Sequence, residues 1–175
     1  MQLKYLEISI SEQLLRGFEN LPTNHSASSE QTDLGKAIVQ YSISTAKNGV
    51  GQLNGSECTP LGSHRIRARI GGGAQYASVF TGRRPTGEIH SDSLEKAFPD
   101  RDWILSRILW LCGNQVGFNR GGKVDTQRRY VYIHGAPDSH DMGVPSSHGC
   151  IKMRNSDIIS LFEKVTVGSI VHIKE

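Results

Sequence analysis

Cys150 stands directly behind Ser147, His148 and Gly149, and His134 lies sixteen positions upstream, at the end of the run YVYIH. A thiol and an imidazole brought together can transfer acyl groups. The imidazole takes the thiol proton and the sulfur attacks a carbonyl. The reaction also needs backbone donors for the oxyanion that forms. The N–H groups of Gly149 and Cys150 are candidates, because a glycine lets backbone approach a substrate closely. A capped apolar run begins near residue 155, and the dipole of a helix there is expected to lower the Cys150 pKa. A lowered pKa implies selective alkylation of Cys150 near neutral pH. The intervening residues APDSHDMGVPSS are long enough to fold His134 and Cys150 back onto each other.

The same residues admit other chemistry. His134, His140, Asp141, His148 and Cys150 are metal-ligating types. No Cys-x-x-Cys pair and no helical His spacing supports a zinc site, so neither metal nor cofactor is expected. Cys58 sits in a turn and Cys112 in an apolar run, and both read as ordinary small residues. Three widely spaced cysteines do not make a disulfide framework. Asp125 and Asp138 suit either turns or the orientation of a neighbour. A binding module without turnover, or one stabilised by zinc, is the alternative of another class.

The elements that must position these residues read as mainly β. A chain of 175 residues is the size of one domain. The net charge of +3 is too mild to argue for nucleic acid, and it suits a small anionic substrate. No stretch is long enough to span a bilayer, so no membrane insertion is expected. Glu7, Ser9, Ser11 and Glu12 interrupt the opening stretch, so it does not read as a secretory signal. A cytoplasmic location is expected, or a periplasmic one if the native start lies elsewhere. Leu3, Tyr5, Ile8 and Ile10 suggest a strand, followed by a short amphipathic segment around Leu14, Leu15 and Phe18. Residues 22–33 form a polar loop and 36–45 a strand. In 64–70, Ile66, Ala68 and Ile70 alternate with Arg65, Arg67 and Arg69, the pattern of a half-buried strand. Residues 83–102 are a polar excursion of a length that belongs to a site or carries short helical pieces. Residues 103–113 are apolar on nearly every side, and periodicity does not separate strand from helix there. Residues 128–135 form a strand ending in His134. Residues 155–165 form a helix capped by Asn155 or Ser156, with Ile158, Ile159, Phe162 and Val165 on one face. Gly168 ends it and 169–173 is a closing strand.

The segment IHGAPDSHDMGVPSSHGCIKMRN resembles the signature of the L,D-transpeptidase catalytic domain, the YkuD-like family. Members share a strand ending in His-Gly and a downstream Ser/Thr-His-Gly-Cys. CTPLGSHRI is similar to the family's Thr-Pro-x-Gly segment, and the closing helix, glycine and strand match as well. The resemblance covers about residues 36–175, leaving 1–35 as an N-terminal extension packed on that domain. It implies a single mainly β domain, a sandwich or barrel with a few short helices. It implies that Cys150 is the nucleophile, that His134 is its base and that the Gly135 carbonyl orients the imidazole. His148, Gly149 and Ser147 would shape the pocket. Lys152 stands where the family commonly has Arg, and Arg154 and Tyr132 are further candidates for substrate contact. The implied partners are peptidoglycan stem peptides or soluble muropeptides, and carbapenem-type inhibitors. The implied reaction opens the diaminopimelate–D-alanine bond through a thioester. Hydrolysis to a tripeptide is the expected outcome, and cross-linking or D-amino-acid exchange is the alternative.

Overall fold

Residues 1–23 and 34–175 are described by the computed structural model. Ten residues of the polar loop expected over 22–33 fall outside them. The strands are β1 (Leu3–Ser9), β2 (Leu14–Phe18), β3 (Val39–Ser44), β4 (Gly62–Ile70), β5 (Ser78–Thr81), β6 (Arg84–Ile89), β7 (Ile104–Gly113), β8 (Tyr132–Ala136), β9 (Ile151–Arg154) and β10 (Val165–Lys174). The helices are α1 (Asp92–Ala97) and α2 (Asn155–Lys164). The architecture is mainly β, as the sequence suggests.

Hydrogen bonding runs in the order β4-β10-β1-β2-β3-β9-β8-β7-β5-β6, and β4 also pairs with β7. Eight strands therefore close into a ring, which removes the exposed edges of a flat sheet. The β5–β6 hairpin hangs from β7. Alternation turns Leu6, Ile8, Ile66, Leu109, Ile133 and Ile151 into one core, to which α2 adds Ile158, Leu161 and Phe162. β7 is apolar on both faces because both are covered. Leu109 and Leu111 enter the main core, while Ile104 and Ile108 pack with Phe80 and Tyr132. A strand buried on two sides carries no period-2 signal, so 103–113 is ambiguous as sequence.

Three expectations change. The amphipathic segment after β1 is the strand β2, paired antiparallel with β1 and β3. Residues 3–18 thus lie within the ring, and β1 pairs parallel with β10. The alternation in β4 breaks at a register shift between Ile66 and Ala68, which leaves Arg67 as the extra residue of a bulge. Past the bulge the faces swap. Ile70 turns to the Phe80 cluster, and Arg69 goes inward, donating to the Phe162 carbonyl at 2.6 Å with its guanidinium over the Phe162 ring. Finally, α2 has Arg154 as its N-cap, and no side chain caps it. It ends at Lys164, and Gly168 sits instead within β10, where the register against β1 jumps from Val165 to Ile170.

Candidate active site

β8 and β9 lie side by side and parallel, with Ile133 opposite Ile151 and His134 opposite Lys152. Successive side chains on a strand point to opposite faces. Ile133, Ile151 and Met153 fill the core. Tyr132, His134 and Lys152 therefore share the outer face, and Cys150, one residue before β9, is in phase with them. The thiol and the imidazole are diagonal neighbours on adjacent strands.

The Tyr132 N–H donates to Cys150 Sγ at 3.4 Å, and the thiol faces the Tyr130 carbonyl at 3.6 Å. Tyr130 holds that carbonyl in place from a left-handed conformation, φ 55°, which is uncommon for a bulky residue. His134 is only 1% exposed, and its Nδ1 lies 2.8 Å from the Gly135 carbonyl. A carbonyl can only accept, so Nδ1 carries the proton and Nε2 is left as the basic nitrogen. The carbonyl does the orienting work that a carboxylate does in a serine triad. Its own position is fixed by tight packing. A Cβ on Gly135 would lie 2.5 Å from the Leu105 carbonyl oxygen and 2.6 Å from Asn155 Oδ1.

Burial pushes the Cys150 thiol up to about 12, against a smaller lowering by the Tyr132 N–H. Burial also moves the His134 imidazole below its ordinary value. Each group is neutral at pH 7. The helix expected to lower the thiol pKa starts too far from Cys150 for its dipole to act. Four residues of β9 separate Cys150 from α2, roughly 13 Å of extended chain, and a helix dipole acts only within about a turn. The expected selective alkylation near neutral pH loses its basis too.

Ser147 is buried, its hydroxyl donating to the Cys150 carbonyl and accepting from the Gly149 N–H at 3.2 Å. It staples the turn rather than lining the pocket. Gly149 sits at φ +125°, a region open to glycine, and its carbonyl accepts from Thr59 Oγ1 at 3.1 Å. The Thr-Pro segment thereby holds the turn before Cys150 directly. Because the Gly149 amide is engaged by Ser147, Cys150 has the better placed N–H for an oxyanion. His148 is exposed and, with Glu57, Arg129, Val131 and Cys150, lines a cavity of ≈ 240 Å³. Lys152 is largely buried, its Nζ 3.5 Å from the Ser146 carbonyl. Its charge is among the causes that lower the His134 pKa. Arg154 is exposed at the start of α2. Tyr132 is buried and its hydroxyl accepts from Arg83 Nη1 at 2.8 Å.

Four residues are not distinguished by the sequence alone. Arg129 donates to the carbonyls of Gly51, Gln52 and Cys58, so it pins the 46–63 segment beside Cys150. Its type is shared with Arg128, and only the fold separates them. Arg83 lies over the Trp110 and Tyr130 rings at 4.4 and 4.9 Å. Asp102 is exposed, yet its charge acts on both His134 and Cys150. Asn155 is read as a cap but turns inward instead. It donates to the Ala136 carbonyl at 2.9 Å and to Asp138, and accepts from Ser106 Oγ at 2.6 Å. Asp125 accepts the N–H groups of Gly121 and Arg128, which is turn chemistry. His140 pairs with Glu95 of α1 at 2.8 Å.

Comparison with known proteins agrees with this geometry. The family model described as YkuD, L,D-transpeptidase catalytic domain, matches residues 4–173. A probable L,D-transpeptidase, YbiS, of Escherichia coli strain K12 is 49% identical over 41 residues, which is 23% of this chain and 13% of that protein. The L,D-transpeptidase 3 structure of Mycobacterium tuberculosis superposes with a TM-score of 0.55 at 16% identity, covering 98% of this chain and 60% of that one. The Bd1075 structure of Bdellovibrio bacteriovorus gives a TM-score of 0.57 at 16% identity, covering 99% of this chain and 48% of that one. The chain thus spans between about half and three fifths of the solved structures it matches. At these identities the structures speak for the fold, and the family model speaks for the domain: the chain belongs to the YkuD L,D-transpeptidase catalytic domain family.

Proposed function

We propose that this protein opens the L,D bond between diaminopimelate and D-alanine in peptidoglycan stem tetrapeptides, through a Cys150 thioester that is resolved by water. The observation that carries the proposal is the shared outer face of Cys150 and His134, with Nε2 of the imidazole left basic by the bond from Nδ1–H to the Gly135 carbonyl. The thiol gives its proton to Nε2 as sulfur attacks the third residue's carbonyl. The Cys150 N–H stabilises the oxyanion. The imidazolium then protonates the departing D-alanine amine, and the carbon–nitrogen bond breaks to leave a thioester. Water, deprotonated by the same imidazole, attacks the thioester. The tripeptide carboxylate leaves and the thiol re-forms.

The cavity at Cys150 is ≈ 240 Å³, below the roughly 300–1,000 Å³ typical of drug-sized ligand sites. It admits water or a free amino acid as acceptor more readily than a second stem peptide. The transferase reading draws on the family, whose named relatives are L,D-transpeptidases.

The test incubates the protein with disaccharide tetrapeptide, with and without added D-amino acid, and reads products by mass. Tripeptide and free D-alanine in both tubes support hydrolysis. A new adduct seen only with the added amino acid means a transferase, and no product in either tube removes the enzymatic reading. The L,D-transpeptidase 3 of Mycobacterium tuberculosis has been crystallised with a faropenem-derived adduct. For this chain a mass shift after carbapenem treatment is expected, lost in Cys150→Ala.

A further inference from the structure

The outer face that carries Cys150 continues across the sheet. Tyr132 on β8 is opposite Trp110 on β7, and two residues along β7 Cys112 is opposite Arg65 on β4. There a second cavity opens, ≈ 540 Å³, lined by Arg65, Arg67, Arg120 and Arg128 together with Asp125 and Gln127. Four guanidiniums meet one carboxylate. Asp125 is the only acid on the lining, and its oxygens accept the Gly121 and Arg128 N–H groups at 2.7 and 2.9 Å. Among the described residues, no lining arginine side chain is within ion-pair distance of a carboxylate.

The backbone beneath the cluster is held by structure, and Arg67, Arg120 and Arg128 stand exposed on it. Arg67 is the extra residue of the β4 bulge, a device that re-aims a side chain. Arg120 follows Asn119, which is fully buried and donates to the Leu61 and Ser63 carbonyls at 3.0 Å while accepting the Gln115 N–H at 2.9 Å. Arg65 is steadied by Asn114 Oδ1 at 2.6 Å. A fixed fork of N–H donors matches phosphate oxygens two at a time. A single carboxylate would leave most of this positive charge unanswered, whereas a diphosphate answers it.

We propose that this cavity binds a diphosphate group, joined through its sugar to the peptide on which Cys150 acts. The second half of this inference rests on the function proposed above. Three inter-strand steps separate the two sites, roughly 15 Å along the sheet. Three extended peptide residues span about 10 Å, and the sugar supplies the remainder. The substrate class is then a diphosphate-linked muropeptide.

The test titrates inorganic pyrophosphate into the full chain by calorimetry, and repeats it with the double variant Arg67→Ala, Arg120→Ala. Expected is one site, with affinity at least tenfold weaker in the variant. No binding, or binding unchanged in the variant, overturns the site. A short DNA duplex that binds tighter than pyrophosphate and is lost in the same variant also overturns it, in favour of a nucleic-acid surface. Cleavage is then measured on a diphosphate-linked tetrapeptide and on a neutral disaccharide tetrapeptide. The expected KM is lower for the diphosphate-linked substrate, and the variant erases that gain without changing kcat on the neutral one. Equal KM values with pyrophosphate binding intact overturn the link to the substrate and leave a separate anion as the ligand. If neither substrate is cleaved, the function proposed above fails, and the pyrophosphate titration still decides the site.

Discussion

At the scale of single residues, the resting site holds a neutral thiol beside a neutral imidazole. In the proposed mechanism the proton moves when a carbonyl arrives, so reactivity depends on His134 being unprotonated. Its pKa is lowered, mainly by burial, so the acid limb of kcat/KM should lie below pH 6.5, the ordinary histidine value. Activity is complete above that limb and falls as pH drops through the folded pKa. A limb above pH 7 would contradict the assignment of His134 as base. The thiol gives a separate readout. With its pKa near 12, Cys150 should react slowly with iodoacetamide at pH 7, and its rate should still be rising above about pH 8.5, the ordinary thiol value at which a free cysteine levels off. Faster labelling at pH 7 than at the half-buried Cys58 would mean a resting thiolate. The meeting of Cys150, His134 and the Gly135 carbonyl is legible as sequence, because they lie in two short motifs. The sign of the thiol shift is not legible. It depends on burial by Tyr132, Phe80 and Ile108, which come from three different strands.

At the scale of elements, the parallel pair β8–β9 sets the spacing between His134 and Cys150, and β7 sets the depth. Gly135 is where these meet. In Gly135→Ala the new Cβ must push the Leu105 backbone and Asn155 aside, and overpacking of this kind costs about 1–3 kcal/mol. The denaturant midpoint should fall, and kcat should fall further than stability alone explains, because the displaced carbonyl no longer orients His134. Normal kcat in the folded variant would show that the orienting bond is dispensable. β8 stands out in the sequence through its run of aromatic and β-branched residues, and α2 through one clear period. The β4 pattern misleads, since a bulge at Arg67 inverts every side chain after it, and a one-residue slip in a period of two is invisible without the partner strand. β2 reads as merely amphipathic for a related reason: five residues carry too few repeats to fix a period.

At the scale of the whole molecule, closure of the ring decides stability. β1 pairs parallel with β10, and β2 bridges β1 to β3, so a boundary at residue 36 falls between hydrogen-bonded neighbours. Removal of residues 1–35 is expected to open the ring and expose Leu6, Ile8 and Leu15 partners throughout the core. The fragment 36–175 should show no cooperative thermal transition. A sharp transition with retained cleavage would instead establish residues 1–35 as an extension. Sequence motifs locate chemistry without locating such boundaries. The residues that close this ring are ordinary Leu, Ile and Val, and nothing in their types marks them as neighbours of β10.

The parallel pairing of β8 with β9 has one more consequence. The sheet fixes the separation of His134 and Cys150, and between the Gly135 carbonyl at one end and the Ser147–Gly149 turn at the other, residues 139–145 return the chain to the start of the next strand. That return can lengthen, shorten or change composition while the two reacting atoms stay in register. Evolution is then free to remodel the rim of the site, and with it the choice of substrate, as a variable insert on an invariant frame.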